Sequence, residues 1–308
     1  MRHLIIISCF LFSANLLAQH PYYGGLNQQL LTTNPAFAGS NKQLRVQTIG
    51  GTLDFPKYGY YKTGYYFGAD GLAGKHSGLG LSAHYEQNGP AYSNTQVDFT
   101  YAYHINIGEK TKLVPAIQVS VFQEKMNRQY WSDQDLNIGR VDYPYDGPNI
   151  SAKTNLDFSS GLMFYRERFF AGASILSFTQ PDEGLLGVSK RPLTQVYQAG
   201  YRYPVNPLSS IDGYAFFKTQ KTRETFLQYG FYYNVKFVSL HLANRLNDIS
   251  NTNAVVIGVS FNYNGFKIGY NCNWNYSKHS SNYFFNEVFL SMNFGAKKTD
   301  EPGVKLFY

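Results

Sequence analysis

The side chains able to do chemistry are few and scattered. Beyond the first eighteen residues there are six histidines, His20, His76, His84, His104, His241 and His279. No two of them share the short spacing that presents a pair of ligands to one metal ion. Of the two cysteines, Cys9 lies in an apolar leader and Cys272 is left alone, so neither an internal disulfide nor a zinc cluster is expected. Ser239 and His241 would share one face of a strand, the beginnings of a nucleophile and its base. Acyl transfer also needs an orienting partner for the base, and neighbours two apart on a strand arise by chance. The expectation is therefore a protein that is not an enzyme, with no catalytic, metal or cofactor site.

Charges and aromatics say more. Asp98, Asp157, Arg202, Lys267 and Glu287 each fall on the polar side of a stretch whose residues alternate between apolar and polar. Between Lys125 and Lys153 a long connection carries Tyr130, Trp131, Tyr143 and Tyr145. Rigid aromatic side chains dominate interface hot spots, so these four are candidate anchors for a partner. The alternative is a loop that folds over its own scaffold. Tyr58, Tyr60 and Tyr61, with Tyr232 and Tyr233, suit an interfacial girdle better than a stack of ligand-binding rings.

The elements that must position these residues are strands. Val255, Ile257, Val259, Phe261 and Tyr263 alternate with Val256, Gly258, Ser260 and Asn262, and Asn264-Gly265 follows. Both turn positions tolerate positive φ, the requirement of a two-residue hairpin. Phe266, Ile268, Tyr270, Cys272, Trp274 and Tyr276 then alternate with Lys267, Gly269, Asn271, Asn273 and Asn275. Two strands of about ten residues, each with one apolar and one polar face, match a membrane-spanning hairpin. The pattern recurs at Val97 to Ile107 and at Leu156 to Phe164.

Fourteen strands are expected, beginning near Gln43, Gly59, Ser77, Asn94, Lys112, Asn155, Arg168, Thr194, Ser209, Glu224, Phe237, Asn253, Gly265 and Tyr283. Connections alternate in length. Those at Gly108 to Thr111, Arg166-Glu167, Asn206 to Leu208, Asn234 to Lys236 and Asn264-Gly265 are short; those at Lys125 to Lys153 and Thr179 to Pro192 are long. An all-β fold follows: a transmembrane antiparallel β-barrel with short periplasmic turns, longer extracellular loops and both termini periplasmic. On this reading the five charges line a lumen, where they must be paired or hydrated. They form either a salt-bridge network that fills the barrel or a path for a substrate. The first three strands are the least regular, because Asp70 to His76 does not read as a tight turn.

Composition agrees. Aromatic residues make up 17% of the chain and charged ones 15%, far below the usual quarter, as a barrel with a lipid face and a wet face requires. A soluble β-sandwich would carry more surface charge. The formal net charge is +7, spread without a basic block, so no nucleic-acid partner is expected. Anionic lipid and acidic partners stay open. Arg2 and His3 before an apolar Leu4 to Leu17, with Ala18 ahead of Gln19, have the plan of a cleaved secretory signal peptide. The expected organisation is a signal peptide at 1–18, a periplasmic segment outside the barrel at 19–42, an outer-membrane barrel at 43–294 and a periplasmic tail at 295–308.

The segment Asn34-Pro35-Ala36-Phe37-Ala38-Gly39-Ser40 resembles the opening signature of the PorP/SprF family, outer-membrane proteins of Bacteroidota associated with type IX secretion. The likeness continues through Tyr101-Ala102-Tyr103-His104-Ile105, Asn155-Leu156-Asp157 with Gly161-Leu162, Phe170-Ala171-Gly172-Ala173-Ser174, Gly200-Tyr201-Arg202-Tyr203, Gly269-Tyr270 and Asn286-Glu287. Two departures stand out. The first strand and its sequel, Ile49 to Lys57, lack the family's Trp, and Asn286 stands where the family usually has His. The resemblance implies a barrel that binds a secreted adhesin, gliding adhesins included, or a component of the secretion machinery. A porin or small-molecule uptake barrel is the alternative.

Overall fold

The computed structural model describes residues 25, 28–55, 60–127, 152–185, 187–220, 224–247, 252–277 and 282–295. Strands dominate them. In chain order they are β1 (Leu44–Phe55), β2 (Tyr60–Ala73), β3 (Ser77–Asn88), β4 (Tyr92–Tyr103), β5 (Ile105–Gly108), β6 (Thr111–Met126), β7 (Ala152–Arg166) and β8 (Phe169–Leu176). There follow β9 (Thr194–Asn206), β10 (Ser209–Gln220), β11 (Glu224–Val235), β12 (Val238–Asn247), β13 (Thr252–Tyr263), β14 (Phe266–Ser277) and β15 (Tyr283–Phe294). Every neighbouring pair is antiparallel, β1 pairs with β15, and β4 pairs with β6. The sheet is thus closed on itself, with no edge left to recruit another chain.

β4 and β5 form one wall strand with a break at His104. Both pair with β6 in one register across the break, Ala102 opposite Ala116 and Ile105 opposite Leu113, and the register shifts only between Asn106 and Gly108. Tyr103 therefore faces Pro115, which has no N–H to give to the ladder. Counting β4 and β5 together, the wall has the fourteen strands that the alternation predicts. The expected starting points fall within a few residues of the observed ones, the first three strands included. There β2 runs on through Asp70 to Ala73 and leaves only Gly74 to His76 as a turn.

Connections sort by end. At one end lie the Gly74 to His76 turn, Glu109-Lys110, Glu167-Arg168, Pro207-Leu208, Lys236-Phe237 and Asn264-Gly265. Asn264 at φ 49° and Gly265 at φ 83° give the left-handed pair that a right-twisted hairpin needs. This is the short-turn end. The long connections after β6 and β8 lie at the other.

Side chains alternate along every strand. Phe99, Tyr101, Ile117, Leu156, Tyr197, Ile257 and Phe261 point outward and are exposed, the apolar band of a membrane barrel. Inward positions are buried and mostly polar: Ser82, Asp98, Gln118, Asp157, Gln228, Asn271 and Glu287 among them. Tyr232 and Tyr233 split between the two faces. Tyr233 faces out, as a girdle residue would, whereas Tyr232 is buried and stacked on His241, with ring centroids 4.1 Å apart. The girdle expectation fails for Tyr232 because adjacent strand residues must face opposite ways. Tyr58 lies outside the described residues.

Candidate functional site: a lumen filled by the N-terminal segment

The expectation that residues 19–42 stay outside the barrel is corrected for their described part. Gln28 to Ser40 is buried almost throughout, packed against the inward faces of the wall. A short helix, α1 (Leu30–Thr33), leads into a 3-10 turn at Pro35–Phe37. Asn34 is extended, at φ −156° and ψ 118°, as the residue before a proline prefers. Its Oδ1 accepts from Ala36 N at 2.9 Å and caps the turn, and Pro35 at the first position gives up no useful donor. The Asn-Pro pair does preclude a longer regular element here, as the sequence suggests. It does not keep the segment outside.

What draws the segment in is mutual satisfaction of backbone groups. Three of its carbonyls receive a wall side chain: Thr33 O from Ser174 Oγ at 2.7 Å, Ala36 O from Tyr165 OH at 3.2 Å, and Ala38 O from His104 Nε2 at 2.8 Å. Because a carbonyl can only accept, His104 carries its proton on Nε2. In return Asn34 Nδ2 reaches the wall carbonyls of Leu162 at 3.4 Å and Ala173 at 3.2 Å. Asp70 Oδ2 accepts from Gly39 N at 2.9 Å, and Asp70 Oδ1 takes Arg45 Nε at 2.8 Å. Arg45 and Asp70 are 0% and 2% exposed, a buried pair at the point where the segment becomes β1.

Shape completes the seat. Phe37 is 1% exposed and lies edge-on to Phe170 and Tyr165, with centroids 5.8 and 6.5 Å away. Full burial of such a ring is worth about 1.5–3 kcal/mol. Ala102, Val114, Ala116, Met163 and Val196 belong to the same apolar cluster as Leu30, Leu31, Ala36 and Ala38. Where the segment comes closest, the wall has glycine. A Cβ on Gly161 would stand 2.0 Å from Asn34 Oδ1, and one on Gly78 would stand 2.1 Å from Ala38 O. Gly39, at φ +71°, faces Gly78 so closely that its own Cβ would meet the Gly78 Cα at 2.9 Å.

The five candidate lumen charges all face inward but do not form one network. Asp98 accepts from Ser82 Oγ at 2.9 Å and from Gln96 Nε2 at 2.6 Å. Arg202 grips Asp212 with two bonds of 2.7 and 2.6 Å near the short-turn end. The Lys267 ammonium lies 5.6 Å from the Tyr232 ring centroid. Glu287, fully buried, accepts from Asn271 at 3.1 Å and Asn273 at 2.8 Å, and Asn271 also donates to Gln28 Oε1 at 3.1 Å. Asp157 meets Arg191, a residue of the β8–β9 loop, at 3.9 Å. Sequence reasoning missed that arginine. It enters the lumen to donate to Gln96 Oε1 at 2.7 Å and to lie over the Phe122 ring at 4.2 Å.

The same loop is tied to the wall outside the spanning segments. The Lys153 ammonium donates to Asp182 at 2.6 Å, and the Ser189 and Gly184 amides donate to its other oxygen. Lys153 first, then these amides, hold the Asp182 carboxyl down at about 2. The candidate partner anchors Tyr130, Trp131, Tyr143 and Tyr145 lie outside the described residues. Ser239 and His241 are engaged apart: Ser239 Oγ accepts from Asn262 at 2.8 Å, and His241 Nε2 lies 2.9 Å from the Tyr214 hydroxyl.

The family model for "Type IX secretion system membrane protein PorP/SprF" matches residues 15–292, the lumen segment and the wall together. The chain belongs to the PorP/SprF family. As a member it is a type IX secretion membrane protein, and its closed barrel is consistent with the outer membrane. No curated protein matches it. Among solved structures, the CymD monoaromatic hydrocarbon channel is similar at 10% identity and TM-score 0.55, over 88% of this chain and 94% of that one. The toluene transporter TodX of Pseudomonas putida is similar at 10% and 0.51, over 90% and 95%. The toluene transporter TbuX of Ralstonia pickettii is similar at 10% and 0.51, over 87% and 94%. At such identities the likeness is one of fold.

Proposed function

We propose that this PorP/SprF barrel is a non-enzymatic outer-membrane protein that binds a protein partner, either a component of type IX secretion or a large secreted adhesin held at the cell surface. The observation that carries the reading is the seat of Asn34 to Ser40. A pore that passes solutes needs an open lumen, whereas here the chain's own segment occupies it through side-chain bonds to three of its carbonyls. Arg191 reaches into the same lumen from the β8–β9 loop. With the segment and Arg191 inside the lumen, the loops and the two rims are the surfaces this reading assigns to recognition. Both termini are placed on the periplasmic side in this proposal, and Tyr130, Trp131, Tyr143 and Tyr145 are the proposed anchors on the outer side.

Two measurements test it together. In planar bilayers the purified protein is expected to give no large, steady conductance. Pull-down from native membranes, read by mass spectrometry, is expected to recover an adhesin or a secretion component. Steady open conductance with no such partner would instead establish an uptake barrel.

A further inference from the structure

We infer that the short-turn end of the barrel is a docking ring for anionic phospholipid headgroups of the leaflet it abuts. The inference rests on the membrane barrel itself and not on the identity of any protein partner. Lys42, Lys75, Lys110, Arg166, Arg168 and Lys236 are exposed at this end, at the entry to β1 and at four of the six short turns. Only Glu109 and Glu167 oppose them among the exposed described residues there. Among the described residues, six positive groups against two negative ones leave a net of four positive charges on this rim. Glu167 is already committed, since Lys110 Nζ holds its carboxylate at 2.6 Å. At the opposite end Lys62 and Lys153 each have a carboxylate of their own, Glu86 and Asp182, and Lys125 and Lys190 are exposed.

Placement identifies the occupant. A short way from the basic turns the outward face carries exposed aromatics: Tyr103, Phe169, Tyr201, Tyr203, Phe237 and Tyr263. Aromatic belts sit at the headgroup level of a bilayer. Long basic side chains just beyond such a belt extend their charged ends to the phosphates while their methylenes stay on apolar surface. The charge ring is thus continuous with the surface that meets lipid. An acidic protein would instead have to approach a rim already surrounded by headgroups.

The test uses the full chain folded in phosphatidylcholine vesicles with spin-labelled phosphatidylglycerol or spin-labelled phosphatidylcholine as probe. The fraction of motionally restricted label gives the selectivity. At low salt, phosphatidylglycerol is expected to be favoured by about threefold, within the range open to a few basic residues near a charged surface. At about 1 M salt, where the Debye length is about 3 Å, the preference should vanish. A variant carrying Lys75→Gln, Lys110→Gln, Arg168→Gln and Lys236→Gln should lose it at low salt too, with heat-modifiable gel mobility confirming that it is folded. The salt arm needs no variant, so a folding failure would not spare the inference. Equal association of the two lipids with the wild type overturns it, as does a preference unmoved by salt. Binding of polyglutamate to the detergent-solubilised barrel, abolished by the four substitutions while lipid selectivity is absent, overturns it in favour of an acidic protein.

Discussion

Gly161→Ala should unseat the lumen segment while leaving the barrel wall intact. The added Cβ would lie 2.0 Å from Asn34 Oδ1 and 3.0 Å from both Asn34 Cγ and Pro35 Cδ. A flexible side chain could swing away at little cost, but this one is pinned. Its Oδ1 holds Ala36 N, and its Nδ2 spans the carbonyls of Leu162 and Ala173. Relief therefore means either breaking these bonds or moving the turn that contains Phe37. A buried hydrogen bond contributes about 0.5–1.5 kcal/mol net, so loss of the three Asn34 bonds weakens the seat by about 1.5–4.5 kcal/mol. Overpacking alone costs about 1–3 kcal/mol, a similar figure by a separate route. The wall should hold, because Gly161 keeps its ladder partners Ala116 and Ser174. The assay is hydrogen exchange of residues 28–40 in the folded protein, with planar-bilayer conductance alongside. Exchange within the segment should rise by about 30-fold or more, the equivalent of 2 kcal/mol, while strand amides stay protected. Gly213→Ala is the control, since nothing lies within 4 Å of its Cβ position. Unchanged protection of residues 28–40 in Gly161→Ala would refute the account of Asn34 as the pin. Adding Asn34→Ala should then recover little further loss, because both changes remove the same interaction.

Other changes probe the rest of the seat. Gly78→Ala meets a backbone atom, Ala38 O at 2.1 Å, which cannot rotate away; exchange at Ala38 and Gly39 should rise more steeply than in Gly161→Ala. Phe37→Ala should lower the segment's opening free energy by about 3–5 kcal/mol, the usual cost of deleting a buried ring, read by the same exchange experiment. Asp70→Ala removes the carboxylate that the buried Arg45 guanidinium and the Gly39 amide share, a loss of about 3–5 kcal/mol in thermal or denaturant unfolding; joint replacement of Arg45 and Asp70 by Met and Leu should restore much of it. The β8–β9 loop should respond to acid. The Asp182 carboxyl sits at about 2 in the folded loop against an ordinary 3.8, so its ordering contribution is complete above about pH 4 and fades as the pH falls towards 2. Limited proteolysis with pepsin across that range should show loop cleavage rising, and Asp182→Asn should cleave early at every pH.

The wall was legible because its signal is local. A strand that divides lipid from lumen must alternate at period two, and residues such as Ile257, Val259 and Phe261 carry that alternation whatever happens elsewhere in the fold. Turn lengths are local too, which is why Asn264-Gly265 and the long β6–β7 connection fall at opposite ends. The inward direction of Asp98, Asp157, Arg202, Lys267 and Glu287 follows from the same period. Their partners do not. Arg202 meets Asp212 on the neighbouring strand, but Asp157 meets an arginine from a loop, and no spacing in the sequence encodes that encounter.

The filled lumen has a different kind of signal, one that was present but is not periodic. Side chains alone just fill a barrel of about eight strands; a wider one encloses space that needs an insert, a ligand or water. On the walls around the segment several inward positions are small, Gly78, Gly80, Ala102, Ala116 and Gly161, between larger ones such as Met163, Tyr165 and Phe170. Small residues on the inner face of an already wide barrel remove material where an empty lumen would leave the wall without contacts. They make sense only with something seated against them, and the apolar, turn-forming Pro35-Ala36-Phe37-Ala38-Gly39 is the stretch whose size matches and whose Ala36 and Ala38 carbonyls meet wall donors. Read that way, the boundary between a segment at 19–42 and a barrel beginning at 43 marks a change in periodicity and not a change of unit. Asp70 makes the point physically, since one carboxylate holds the segment through Gly39 and the first strand through Arg45. Disturbing either contact should be felt in both.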